Sequence, residues 1–383
     1  MAKTRFYVLL LAVLLILTAI IFPASAAMPE ADAPIQDDPA GVRDVTYPVR
    51  VGYIEGESFR SFTWGLTGIA MGLERRGIIS GFVADELETD ATVIWKALAN
   101  ADGGGRIVFV EDMFFNLQTM DDNELARIIN SDEIDLIIVM GTVAGIFISE
   151  QETKNDFMVF ASANPVLSGI VKSETERFKP NSYAYIDPYR HRRQINIAYN
   201  VFEFTKLGLV YENSPVAFAF SGIEQAEISA DINGFSVARR HVDEAVNDAD
   251  FERYYIELKE AFKQLIDEGI DALYVTITTI EDHMLPWLLE DIVAAGVLTI
   301  AQSGEYHIRN GAVFGVTLDD PVDQGRFIAH VIHQYLDGTP IDQLGQVNEI
   351  VPRMYLNYDA ARRTGIHLPF RTLISMDRIF RDE

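Results

Sequence analysis

Two stretches constrain this chain most: Ile134-Asp135-Leu136-Ile137-Ile138-Val139-Met140-Gly141-Thr142 and Phe157-Met158-Val159-Phe160-Ala161-Ser162-Ala163-Asn164-Pro165. Each is an apolar run that stops abruptly at small and polar residues. A run without alternation suits a strand buried on both faces, as in a parallel sheet covered by helices. The polar stop then falls at the strand's carboxyl end, which is where open α/β sheets bind their ligands.

The same grammar recurs on either side. Residues 49–54 read as a strand, 61–76 as a helix stopped by Gly77, 106–110 as a second strand, and 124–130 as the end of a helix. The turn Asp102-Gly103-Gly104-Gly105 lacks the spacing and the following helix of a phosphate loop. A second series begins near Tyr183. Strands are expected at 182–186, 207–211, 235–241, 272–277, 298–301 and 311–316, and helices at 191–202, 226–233, 251–268, 284–295 and 321–336. Alternation of this kind gives an α/β fold with parallel sheets. The strands fall into two groups, about 47–163 and 183–301, so the expected architecture is two doubly wound parallel-sheet lobes with a cleft between them. Right-handed crossovers put the carboxyl ends of all parallel strands on one side of each sheet. If those sides face each other, the loops after the strands line the cleft.

The amino terminus reads as a leader. Lys3 and Arg5 precede an apolar segment, residues 6–22, and Pro23-Ala24-Ser25-Ala26-Ala27 supplies small residues for cleavage after Ala26 or Ala27. A retained membrane anchor is the competing reading, because the segment sits at the short end of what spans a bilayer. Residues 27–46, rich in Ala, Pro and Asp, read as a flexible tether. The expected location is periplasmic or extracellular. The chain has no cysteine, which rules out disulfides and a lipid-modified cysteine at the cleavage site. Its stability must come from a core, and 49% hydrophobic residues suffice for two domains. The formal charge of −26 becomes −28 once Lys3 and Arg5 are gone. That argues against nucleic acid or an anionic membrane surface as a partner.

The ordered set of pieces resembles the ABC-transporter substrate-binding proteins of the type I periplasmic-binding-protein fold, in the branch with tryptophan- and tyrosine-binding members. The matching pieces are 135–142, 159–165 with Gly169-Ile170-Val171, Asp271-Ala272-Leu273-Tyr274-Val275, Asn310-Gly311-Ala312, Gly325-Arg326, and the tail Tyr355-Leu356-Asn357 with 360–366. The similarity covers roughly residues 49 to 380. It implies a two-lobed receptor joined by hinge strands, closing on a small ligand (an amino acid or another small polar or aromatic solute) and delivering it to an ABC permease. A monomer without cofactor is expected. The resemblance also implies a first lobe of 47–163 plus about 305–345 and a second of 164–304 plus about 346–383. Two departures fall where ligand contacts are expected. The family's Asp-Asn pair after the Tyr274-Val275 strand is replaced by Thr278 and Thr279, and the loop after Tyr211 carries an insertion, Ala217-Phe218-Ala219-Phe220-Ser221.

Candidate ligand contacts follow from the strand ends, each with a plainer reading beside it. Gly141-Thr142 opens a helix, where free N–H groups and a hydroxyl bind anionic groups; Thr142 can equally cap that helix. Asn164-Pro165 borders the hinge as a contact or as a simple chain reversal. Glu55, Ser58 and Phe59 follow the first strand, and Glu55 can hold an ammonium group or merely be solvated. Asp187 resembles a family aspartate, or is a turn residue before Pro188. The basic run Arg190-His191-Arg192-Arg193 opposes the dipole of the helix it starts, so it needs nearby carboxylates or an anionic ligand. Thr276, Thr278 and Thr279 offer neutral hydrogen bonds. Ser221 and Glu224 read as a helix cap with its third-position partner. Gly304, Glu305 and Asp319 end the last strands. Phe59, Phe62, Trp64 and Tyr185 form an apolar wall or plain core. His330 and His333 have metal-ligand spacing without an evident third ligand, and no nucleophile elbow or Ser-His-Asp order appears. The alternatives to transport are a sensory module that presents the same fold to a membrane receptor, and an enzyme built on the same scaffold.

Overall fold

The computed structural model describes residues 45–84, 88–245, 248–276, 280, 282–302, 304–317, 321–348 and 352–381. The leader, most of the tether, and the candidates Thr278, Thr279 and Asp319 lie outside them. Among the described residues no helix is long and apolar enough to cross a membrane.

The first lobe is built on a five-stranded, fully parallel sheet in the order β2-β1-β3-β4-β5. Its strands are β1 (Val49–Glu55), β2 (Ile107–Asn116), β3 (Leu136–Met140), β4 (Asp156–Phe160) and β5 (Ser182–Ala184). The unbroken apolar run of β3 is explained by its place in the middle. Leu136, Ile138 and Met140 enter the core on one face, while Ile137 and Val139 enter the core on the other. Burying each such side chain is worth roughly 1.5–3 kcal/mol. Helices α1 (Arg60–Arg75) and α2 (Ala91–Ala99) cover the first face. Helices α3 (Asp122–Asn130) and α4 (Thr142–Glu150) contribute Ile128, Ala144 and Ile148 to the second. Helix α3 starts with a capping box, the Asp121 carboxylate accepting from the backbone of Asn123 and Glu124 while Glu124 accepts from Asp121 N–H.

The second lobe is a seven-stranded sheet in the order β12-β11-β10-β9-β8-β6-β7. Strands β6 (Lys206–Glu212), β7 (Ser236–Val242), β8 (Ala272–Val275), β9 (Leu298–Ala301) and β10 (Phe314–Thr317) run parallel. β11 (Arg353–Asn357) joins β10 antiparallel, and β12 (Arg378–Phe380) runs parallel to β11. One face is covered by α5 (Arg190–Phe202), α7 (Ile223–Asn233) and α12 (Tyr358–Thr364), the other by α8 (Phe251–Asp267), α9 (Leu285–Ala294) and α10 (Gly304–Arg309). The segment expected as a loop insertion forms a helix of its own, α6 (Pro215–Ser221), started by Ser214 as N-cap and Pro215 in the first turn. A short helix, α13 (Phe370–Ile374), precedes β12.

The lobe boundaries differ from those the resemblance implied. Residues 182–184 complete the first sheet, and α10 with β10 belongs to the second, because β10 pairs with β9 and β11. Only α11 (Pro321–Leu336) and the turn after it return to the first lobe. There α11 packs on α1 at glycine-mediated close range: a Cβ added to Gly325 would lie 2.0 Å from the Gly68 carbonyl, and one on Gly72 would lie 2.5 Å from Gly325 O. The chain therefore passes between the lobes three times: after β5, after β10 and before β11.

Candidate functional site

In the first lobe three strand ends converge. Gly141 leaves β3 with φ 90°, a conformation reserved for glycine, and the Phe62 ring of α1 sits directly over it. Thr142 then opens α4. Its hydroxyl lies 3.2 Å from Ser162 Oγ and accepts from Ala163 N–H at 3.3 Å, which ties the end of β3 to the end of β4. Gly56, in the loop after β1, packs on the first turn of α4, where an added Cβ would lie 2.9 Å from Val143 Cβ. Ala161, just past β4, has φ 56°, a left-handed conformation that costs a non-glycine residue energy of order 1–3 kcal/mol. Strain of that kind gathers where a binding loop must be aimed.

Glu55, the last residue of β1, is 1% exposed. Its carboxylate accepts from Tyr53 OH at 2.8 Å, Asn116 Nδ2 at 2.9 Å and Ser58 Oγ at 3.2 Å. Burial raises its pKa against the pull of these donors, and burial beside Glu55 raises that of Tyr53 as well. Glu55, buried, and Ser58, exposed, thus brace the β1 loop together. The next glutamate, Glu57, is half-buried. Glu57 has its pKa raised by burial and by the charge of Glu212, at the carboxyl end of β6 in the other lobe. Glu212 is buried and accepts from Tyr254 OH at 2.8 Å. Glu57 and Glu212 both stand at strand carboxyl ends, one after β1 and the other at the end of β6.

Several candidates take the plainer role. Asn164 makes a turn, its side-chain oxygen accepting from Leu167 N–H at 3.0 Å, with Pro165 buried in the same reversal. Tyr185 is buried and stacks edge-on with Phe327 at 5.6 Å. Asp187 pairs with Arg193, so a carboxylate meets the basic helix start, and Arg192 lies 4.3 Å over the Tyr189 ring. Ser221 does not start a helix. It is the last residue of α6, is buried, and donates to Phe218 O, whereas Gly222 precedes α7 and leaves Glu224 exposed on the first turn. The expected cap fails because α6 occupies the segment. Thr276 is buried and donates to Val210 O at 2.5 Å. Gly304 starts α10, and Glu305 pairs with Arg309 and Arg378. Trp64 is half-buried beneath Arg60. His333 pairs with Asp337.

A buried polar network that leaves no local signal in the sequence lies beneath the carboxyl ends of the second sheet. His191 Nδ1 lies 3.1 Å from both Tyr274 OH and Gln302 Nε2, Tyr274 OH donates to Gln194 Oε1, and Gln194 Nε2 donates to the carbonyls of Gln302 and Val316. These groups stitch α5 to the ends of β8, β9 and β10. Burial, with the charge of Arg190, lowers the His191 pKa to about 3, so the imidazole is neutral. Gly222 packs on that ring and joins α6 to α7.

Around these strand ends large apolar side chains reach solvent. Phe59 and Val143 on the first lobe, and Tyr189 and Phe218 on the second, are 37–48% exposed. Of the four, Phe59 is a candidate contact from the sequence and Phe218 lies in the expected insertion, whereas Val143 and Tyr189 are not among the candidates. A recess of about 410 Å³ lined by Arg50, Asp132, Asp135 and Lys154 lies at the opposite, amino ends of β1, β3 and β4. Its charges are already paired, Arg50 with Asp135 and Lys154 with Asp132, and strand amino ends are not where such sheets bind ligands.

No protein-family model matches this chain, and no curated protein does. Solved structures do. An ABC domain from Streptococcus pneumoniae in complex with L-Trp is 17% identical, with a TM-score of 0.62 over 87% of this chain and 99% of that one. A conserved domain protein from Vibrio cholerae is 16% identical, with a TM-score of 0.62 over 87% of this chain and all of that one. The ligand-free, open form of a substrate-binding protein with adhesive properties from Clostridium difficile is 17% identical, with a TM-score of 0.59 over 88% of this chain and all of that one. The chain therefore has the two-lobed α/β fold of the ABC-transporter substrate-binding proteins of the type I periplasmic kind.

Proposed function

We propose that this chain is an exported solute-binding protein that captures a small ligand between its lobes and delivers it to an ABC permease. The observation that carries the reading is the pair of parallel sheets, whose carboxyl ends bear Glu57 and the first turn of α4 in one lobe and Glu212 in the other. Each lobe supplies part of the ligand's surroundings, so a ligand favours the closed state by the contacts it makes only there. The exposed Phe59, Val143, Tyr189 and Phe218 favour a solute with an apolar or aromatic body. The first turn of α4 offers N–H groups to an anionic end, and Glu57 with Glu212 suits a cationic one. At the strand ends Glu55, Glu212 and Thr276 are engaged in bracing the loops. The expected form is a monomer, released to the exterior after loss of its leader.

A thermal-shift screen over aromatic and aliphatic amino acids, aromatic acids and aromatic amines tests the proposal. A member of the panel should raise the melting temperature and compact the protein in solution scattering. If none does either, the transport reading fails.

A further inference from the structure

Opening and closing require a hinge, and the structure shows how the first crossing is held on both sides. On the first-lobe side two crossing segments run side by side. Ile186 N–H donates to Gln346 O at 2.8 Å and Asn348 N–H to Ile186 O at 3.0 Å, forming a parallel bridge between Ile186 and Val347. The buried Gln346 side chain locks this pair down. Its oxygen accepts from Ala184 N–H at 3.3 Å and its nitrogen donates to Glu174 O at 3.2 Å. Tyr185 N–H donates to Val159 O, which fastens the same segment to β4. On the second-lobe side the next residue, Asp187, pairs with Arg193 one turn into α5, its side chain only 5% exposed. Pro188 follows and restricts Asp187 to extended backbone.

We propose that Gln346 and the Asp187–Arg193 pair are positioning residues that bracket the pivot of lobe closure. Flexion of this crossing is confined to the Ile186–Asp187 link. Gln346 makes the two crossing segments move as one with the first lobe, and the ion pair makes Asp187 move with the second. A hinge of one linkage between two clamps turns through a defined arc, because few torsions absorb the motion. Asp187, expected from the resemblance to meet ligand, has this role instead. The proposal rests on the closing, two-lobed protein proposed above.

The test uses the absence of native cysteine. Spin labels go on exposed helices of the two lobes through Lys96→Cys and Glu260→Cys, and pulsed dipolar spectroscopy reads the interlobe distance without ligand. The parent should give a narrow distribution. Asp187→Asn and Gln346→Leu should each broaden it and shift its mean, while hydrogen exchange within β3 and β8 stays as in the parent. Arg193→Lys, which retains the charge, should broaden it less than Asp187→Asn. Distributions that match the parent in both variants overturn the proposal, as does broadening accompanied by lost exchange protection within either lobe. If Asp187→Asn fails to fold, Gln346→Leu alone decides by the same criteria. Because no ligand is used, an empty ligand screen refutes the transport reading and leaves this result standing, and the reverse also holds.

Discussion

Gly141 leaves β3 directly beneath the Phe62 ring, and replacing it with alanine tests two separate costs. Two costs arise. The backbone at φ 90° and ψ 166° is glycine territory, and holding a side-chain-bearing residue there costs about 1–3 kcal/mol. The new methyl group would also lie 2.4 Å from Phe62 Cζ and 2.9 Å from one Cε, so the ring must retreat by about 1 Å to reach ordinary contact. Overpacking of that size costs about 1–3 kcal/mol. Phe62 is buried, but it leans edge-on against the exposed Phe59 at 5.3 Å, so it has somewhere to go and the lower half of that range applies. The expected total is about 3 kcal/mol, measured by urea unfolding of Gly141→Ala. Phe62→Leu removes the ring edge, so in that background the same change should cost about 1 kcal/mol less. A loss below about 1 kcal/mol in the parent would refute the backbone half of the reasoning. An equal loss in both backgrounds would refute the packing half.

Thr142→Val keeps the shape of the first turn of α4 but removes the hydroxyl that joins the β3 and β4 ends. It should cost about 1 kcal/mol and speed amide exchange at Ala163, whose N–H loses its acceptor. His191 has a folded-state pKa depressed to about 3, below its unfolded value. Its contribution to stability is therefore complete above about pH 6.5 and is lost as the pH falls toward 3. Between pH 7 and pH 5 the parent should lose about 2 kcal/mol from this group. His191→Gln should show a shallower fall over the same interval, and an unchanged slope would count against a buried neutral imidazole. Gly325→Ala would drive a methyl group into the Gly68 backbone at 2.0 Å, where neither side is a flexible side chain. Helices α1 and α11 must part, and unfolding experiments should register a loss of about 3 kcal/mol or more.

The strands buried on both faces were legible because burial on two sides leaves no room for polar alternation: β3 and β4 read directly. Helix α11 was placed to the residue, since its apolar spacing ends at Asp337-Gly338. Helix α6 reads in the sequence as an inserted loop although Ser214 and Pro215 carry a start signal, because its short apolar content has no visible period. The assignment of β10 to a lobe was not legible, since partner choice is a matter of register with β9 and β11. Among the candidate contacts, Gly141 and Thr142 rest on a pattern confined to neighbouring residues, a strand end followed by a helix start. The fate of Glu55 depended on Asn116, far along the chain, and that of Glu212 on Tyr254. Distances of that kind leave no local trace.

The three passages between lobes also govern how this polypeptide can mature. The first lobe lacks its α11 cover, and the hydroxyl of Tyr335 that donates to Asp156 at 2.7 Å, until residues near 336 exist. The second lacks β11 and β12 until the carboxyl terminus is made. Both lobes are thus completed by the last sixth of the chain, so neither can be finished while the ribosome is still reading the middle of the message. Topologies dominated by such late, distant pairings acquire structure slowly. The nascent protein therefore stays pliable through most of its synthesis, and removal of residues 321–383 should unmake both halves at once.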